Sequence, residues 1–116
     1  MNIQGITIEV SDLTRSKDFY ERILGFEPGR FYEPTKWQPY QCGGQYFAIR
    51  EVERSASRDD YDITNFEMSD VESFWQRVKD DAVVVDPLEK TPWGTYKFVI
   101  KDPDGYRLGF VASSAG

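Results

Sequence analysis

Three observations predict an α+β fold made of two βαβββ modules. Glu9-Val10-Ser11-Asp12-Leu13 returns, from position 9 to position 67 and so 58 residues on, as Glu67-Met68-Ser69-Asp70-Val71. Each copy leads into an aromatic-rich stretch of helical character, Phe19-Tyr20-Glu21-Arg22-Ile23 and then Phe74-Trp75-Gln76-Arg77-Val78. The segments around them alternate apolar and polar side chains with the period of two that marks a half-buried strand. The aromatic pairs at 19 and 74 are 55 residues apart, so the second copy is three residues shorter just after its Ser-Asp. A strand, cap and helix repeated at half the chain length points to one module used twice. The modules span about 1–52 and 61–112 of a single domain, 1–116. Helices outside and strands inside then form a curved, partly closed mixed sheet around a concave cleft where the copies meet.

The elements follow from local signals. Ile6, Ile8 and Val10 alternate with Gly5, Thr7 and Glu9 in the first strand. Ser11 or Asp12 can cap the helix after it by accepting from orphan N–H groups. Phe19, Tyr20, Ile23 and Leu24 form one helical stripe, and Gly25 supplies a left-handed stop. Extended runs at 27–33, 37–41 and 45–52 follow, punctuated by Pro34, Gly43 and Gly44. The charged, Ser-rich stretch 53–60 connects the halves. In the second copy 62–68 is a strand, and Ser69-Asp70-Val71-Glu72 reads as a capping box. Val71, Phe74, Trp75 and Val78 make an amphipathic stripe, which puts Trp75 in the core. Strands at 82–85, 95–101 and 106–112 complete the chain. Asp102-Pro103-Asp104-Gly105 fits a type I turn between the last two.

Composition narrows the function. Hydrophobic content of 40% and charged content of 29% are those of a globular protein able to bury a core. No apolar run approaches the length of a membrane span, and the N-terminus lacks a secretory pattern. Cys42 is the only cysteine, so no internal disulfide is available and the cytoplasm is the expected compartment. The net charge of −6 argues against nucleic acid, which needs a basic face, and suits a neutral or cationic ligand. Histidine is absent, which removes the commonest general base and the commonest transition-metal ligand together.

If the apolar rows of the strands meet the helices, the opposite rows line the concavity. These are Gly5, Thr7 and Glu9; Tyr46, Ala48 and Arg50; Ile63, Asn65 and Glu67; Lys97, Val99 and Lys101; Arg107, Gly109 and Val111. Small and polar residues together suit a hollow, not a packed core.

Val10-Ser11-Asp12-Leu13, Ser16, Phe19-Tyr20 and Leu24-Gly25-Phe26 resemble the opening of the vicinal oxygen chelate superfamily. Pro92-Trp93-Gly94 and Asp102-Pro103-Asp104-Gly105 resemble its closing hairpin. That superfamily includes glyoxalase I, extradiol dioxygenases, fosfomycin-resistance enzymes and bleomycin-resistance proteins, so the resemblance fixes a fold and leaves the activity open. Its metal-dependent members place His, Gln or Glu ligands on four inward strand positions. By motif spacing these fall on Gly5, Ala48, Ile63 and Gly109, none of which carries a metal donor. The resemblance therefore implies a member without metal or other cofactor, and a metal-dependent glyoxalase or dioxygenase is not expected. Many relatives are homodimers, which implies a homodimer here.

The remaining candidates divide by chemistry. The repeat-related Glu9 and Glu67 point inward and can hold Mg²⁺ or Mn²⁺ with waters, attract a cationic ligand, share a proton or stand solvated and idle at the rim. Gly5, Ala48 and Gly109 are expected to leave open space, with Ile63 and Val99 as an apolar floor. Thr7, Tyr46, Arg50 and Asn65 project inward as polar ligand contacts, and Arg50 can alternatively pair with Glu9 or Glu67. Trp93 and, less directly, Trp37, Tyr32 and Tyr40 offer aromatic faces for a planar or cationic ligand. Cys42 has no activating base and reads as inert. The leading expectation is a metal-free protein holding an aromatic or cationic small molecule, like the bleomycin-resistance type. The alternatives are a lyase or isomerase with Glu9 or Glu67 as general base, and a structural module with a vestigial cleft.

Overall fold

The computed structural model describes residues 1–53, 62–90, 92, 94 and 96–112. They belong to two compact units, Met1–Ser57 and Arg58–Gly116. In the first unit, strand β1 (Gly5–Val10) leads to helix α1 (Leu13–Lys17), which runs on as a π-helical segment over Asp18–Ile23. A 3-10 turn at Glu33–Thr35 precedes β2 (Trp37–Cys42) and β3 (Gln45–Glu51). The sheet order is β1-β3-β2, with β1 parallel and β2 antiparallel to the central β3. Parallel pairing of β1 with β3 needs a crossover, and the helix supplies it.

Asp12 caps that helix, its carboxylate accepting from the Arg15 N–H at 3.1 Å. Gly25 takes φ 77, the left-handed conformation expected of a helix stop. The π segment shows in the bond from Leu24 N–H to the Phe19 carbonyl, 2.9 Å. It departs from the plain α-helix expected, and both members of the Phe19-Tyr20 pair are buried. Tyr20 is fully buried, with ring centroids 5.2 Å from Phe47, 5.7 Å from Phe26 and 5.8 Å from Tyr40.

The run 27–33 is not a strand, so the first unit is βαββ. Only isolated bridges form there, Pro28 with Tyr40 and Tyr32 with Trp37. Pro28 has no N–H for a ladder, and Pro34 sits in a 3-10 turn that Lys36 closes at φ 51.

The second unit contains β4 (Ile63–Met68), α2 (Val71–Val78), β5 (Val83–Lys90), β6 (Tyr96–Lys101) and β7 (Arg107–Ala112). Its sheet order is β4-β7-β6-β5, with β4 parallel to β7 and the other pairs antiparallel. The helix is capped by Asp70, which accepts from the Ser73 N–H at 3.1 Å, and not by the expected Ser69. Strand β5 is longer than the expected 82–85. It is an edge strand with two register shifts and Pro87, features that blunt pairing with another chain. The turn after β6 is as read: Gly105 N–H bonds to the Asp102 carbonyl at 3.0 Å. The Asp102 carboxylate also accepts from the N–H groups of Asp104 and Tyr106, each at 2.9 Å. The stretch 53–60 lies almost wholly outside the described residues.

A polar contact between Tyr40 and Glu21 ties helix to sheet in the first unit. Tyr40, on the helix-facing row and fully buried, donates its hydroxyl to Glu21 Oε2 at 2.9 Å. Burial raises the phenol well above its ordinary 10.0, and the bond to Glu21 raises it further. A folded value above the unfolded one gives stability that is present below pH 10 and is lost as the pH climbs beyond it. Tyr40→Phe should therefore lower stability at neutral pH by about 1 kcal/mol and make the alkaline decline shallower. Urea denaturation at neutral and alkaline pH measures both effects; an unchanged alkaline slope would reject the assignment.

Candidate functional site

Register fixes what lies on the helix-free face of each sheet. In the first unit Glu9, Arg50 and Trp37 stand in one row, then Thr7, Ala48 and Pro39, then Gly5, Tyr46 and Gln41. Arg50 Nη2 donates to Glu9 Oε2 at 2.6 Å, so the arginine takes the cross-strand alternative foreseen for it. Trp37 Nε1 donates to Thr7 Oγ1 at 3.1 Å, and its ring stands edge-on to Tyr46 at 5.4 Å. Because β3 lies between the strands of Trp37 and Thr7, the indole must cross β3. Ala48, opposite Thr7 and Pro39, is fully buried. Only a small side chain fits beneath such a bridge.

The second unit repeats the arrangement with different chemistry. Its rows are Glu67, Val111 and Lys97; Asn65, Gly109 and Val99; Ile63, Arg107 and Lys101. Lys97 thus occupies the place of Trp37, Asn65 that of Thr7, and Gly109 that of Ala48. A Cβ added at Gly109 would collide with Asn65 Oδ1 and would stand 3.1 Å from Lys97 Cε and 3.2 Å from Ile63 Cγ2. The lysine stem therefore leans over Gly109 toward Asn65, as the indole leans over Ala48 toward Thr7.

These contacts correct one expectation. The glycines do not leave open space: a Cβ on Gly5 would run into the Tyr46 ring, and Gly109 is covered by three side chains. Gly5, Ala48, Ile63 and Gly109 offer no donor atom in their side chains, and neighbouring side chains lie over the two glycines. Among the described residues no group of three or more His, Cys, Asp or Glu converges to hold an ion. At these four positions the side chains do not fit a transition metal.

Of the residues singled out in the sequence, Thr7, Tyr46 and Arg50 share the first face with Glu9, and Ile63, Asn65 and Val99 share the second with Glu67. Glu9 is tied to Arg50, whereas Glu67 is exposed and opposite Val111. The surroundings of Glu9 and Glu67 therefore differ. Trp93 lies outside the described residues. Tyr40 belongs to the helix-facing core, which removes it as a ligand contact. Burial raises the Cys42 thiol, as an inert cysteine requires. Trp37 and Lys97 carry more of the site than sequence spacing suggested. The signal that finds them is register, since both stand opposite the last strand of their sheet.

A cavity of about 710 Å³ also opens in the first unit, lined by Ser11, Pro34, Thr35, Lys36, Glu51, Val52 and Glu53. It contains none of the expected ligand residues.

Two α+β units, each with a parallel crossover and a helix-free sheet face carrying charged groups, the first with Trp37 and Tyr46 as well, define a class of paired-module proteins. The chain belongs to the Glyoxalase/Bleomycin resistance protein/Dioxygenase superfamily, whose family model matches residues 2–110. No curated protein matches the sequence. Among solved structures it is similar to a protein of unknown function from Agrobacterium tumefaciens str. C58, at 26% identity and TM-score 0.84, covering 97% of this chain and 94% of that one. It is also similar to the fosfomycin resistance protein FosX from Listeria monocytogenes, at 18% identity and TM-score 0.78, covering 100% and 94%. Lactoylglutathione lyase from Agrobacterium tumefaciens matches at 19% identity and TM-score 0.74, covering 97% and 93%. The last two likenesses are of fold.

Proposed function

We propose that this chain binds a small organic molecule with an aromatic ring on its helix-free sheet faces, without a metal or other cofactor. The observation that carries the reading is the bridge from Trp37 to Thr7 beside Tyr46 in the first unit. An indole held by its own N–H and braced by a second ring presents a preorganised face for stacking. Arg50 and Thr7 beside it supply polar groups that orient a ligand, and Ile63, Asn65 and Val99 line the second face. The lack of donors at the four metal positions of relatives supports cofactor-free binding. The cationic ligand suggested by net charge has less support, because Arg50, Lys97, Lys101 and Arg107 all stand on these faces. We read the protein as a cytoplasmic homodimer with no nucleic-acid or membrane partner. The acidic balance argues against nucleic acid, the single cysteine suits the cytoplasm, the homodimer rests on the family resemblance alone, and no described helix is long and apolar enough to cross a membrane.

Titration with 1-naphthol by calorimetry tests the reading. Saturable binding is expected, weakened about tenfold in Trp37→Leu, the scale of one stacked aromatic contact. Binding that does not saturate, or that is the same in the variant, would overturn it.

A second reading rests on Glu67, exposed and without an ion-pair partner among the described residues. It is an enzyme in which this carboxylate removes a proton next to a carbonyl group. Glu67→Gln separates the two: a binder changes affinity only, whereas an enzyme loses turnover with binding retained.

A further inference from the structure

Two side chains reach across to β1 on the helix-free face of the first unit. The Trp37 indole donates to Thr7 Oγ1 at 3.1 Å, and Arg50 Nη2 donates to Glu9 Oε2 at 2.6 Å. Thr7 and Glu9 lie two residues apart on one face of the strand, a span of roughly 7 Å. A ring laid on the indole therefore has the Arg50–Glu9 pair within reach of one substituent. The charges on this face also cancel. Among the described residues of its rows, Glu9 and Arg50 are the two that bear a formal charge.

We infer that the Arg50–Glu9 pair recognises an uncharged amide, so that the ligand is a neutral aromatic carboxamide. Arg50 donates to its carbonyl oxygen, and Glu9 accepts from its NH₂ group. The inference rests on the small-molecule reading above and adds the ligand's polar group to it.

Three features support the assignment. Donor and acceptor stand side by side: a guanidinium carries five N–H donors, a carboxylate accepts about four hydrogen bonds, and the bond between the two uses one of each. An amide offers the matching set, an acceptor and a donor on one carbon. Second, the pair is both fixed and accessible. A short charge-assisted bond holds the guanidinium before any ligand arrives, yet the Arg50 and Glu9 side chains are 41% and 32% exposed. Third, charge excludes the nearest alternatives. A carboxylate on the same ring would gain a bond from Arg50 but set a second negative charge beside Glu9. An ammonium would meet Arg50 in the same way. Like charges so placed disfavour binding, and each member of the pair already offsets the attraction that the other would exert.

The test measures three probes of one ring system on the full chain by calorimetry: 1-naphthamide, 1-naphthoate and 1-naphthol. The wild type should bind naphthamide about tenfold more tightly than naphthoate, the scale of one hydrogen bond to a charged group. Glu9→Gln removes the balancing charge with little change of shape, so the preference should reverse toward naphthoate. Arg50→Gln leaves Glu9 unbalanced, and naphthoate should then lose more affinity than naphthamide. The second variant moves the ratio in the opposite direction, and it decides the matter if Glu9→Gln does not fold. Wild-type protein that binds naphthoate as tightly as naphthamide, or more tightly, overturns the inference. So does a ratio that either folded variant leaves unchanged. If naphthol binds with its dependence on Trp37 while naphthamide shows no preference over naphthoate, only the amide site is lost. If none of the probes binds, the small-molecule reading and the amide site are both rejected.

Discussion

Replacing Phe110 with alanine is expected to lower the free energy of unfolding by about 3–5 kcal/mol, the range for deleting a buried aromatic ring. Phe110 is 2% exposed and is the meeting point of the second unit's core. Its ring stacks on Phe66 at 5.2 Å and on Phe98 at 5.2 Å, and meets Phe74 of the helix edge-on at 4.9 Å. Alanine would remove a contact from β4, β6 and α2 at once. The surrounding rings are large and rigid, so they cannot close the gap without leaving their staggered conformations. Folded proteins of this size hold only about 5–15 kcal/mol in reserve, so the loss should be plain in a urea titration followed by circular dichroism. Phe110→Leu, which keeps most of the volume, should cost clearly less. A loss below about 1 kcal/mol in the alanine variant would mean that the aromatic cluster is not the core of this unit.

That cluster was legible in the sequence, and the reason is periodicity. Val71, Phe74 and Val78 recur at helical spacing and are all buried, as an amphipathic stripe dictates. Alternation likewise placed β1, β3, β4 and β7 within a residue of their ends, since a half-buried strand must sort its side chains by face. Where proline and turn geometry compete with alternation, the reading failed. Residues 27–33 looked extended, but Pro28 and the 3-10 turn at Glu33–Thr35 leave only isolated bridges. Asp70 and Ser69 are both good caps, and adjacent candidates cannot be separated without backbone angles. At the site, the strand faces were legible but not the lean of long side chains along them. Gly5 and Gly109 looked like openings because sequence reports what a residue lacks, not what its neighbours lay over it. Trp37 and Lys97 were underrated for the same reason: their reach across a strand depends on rotamers that periodicity does not encode.

The same covering side chains predict what happens when the missing ligands are put back. Gly5→His combined with Gly109→Glu restores two of the four donor positions used by metal-dependent relatives. We expect this variant to bind no stoichiometric zinc or manganese and to be less stable than the wild type. An imidazole on Gly5 begins where the Tyr46 ring lies, and a glutamate on Gly109 begins against the Asn65 amide and the Lys97 stem. Forcing side chains into filled space costs about 1–3 kcal/mol at each position. Two donors also fall short of the several that a first-row metal gathers, and Ala48 and Ile63 add none. The new carboxylate has a nearer partner in the Lys97 ammonium, so an ion pair forms there in preference to a metal bond. Thermal melts with and without added zinc, together with elemental analysis after gel filtration, measure both outcomes. A melting temperature that rises with zinc and a metal content near one per chain would show that the faces still accommodate an ion. In that case the covering residues move aside readily, and Tyr46 would not be the fixed brace for Trp37 that the ligand-binding reading requires.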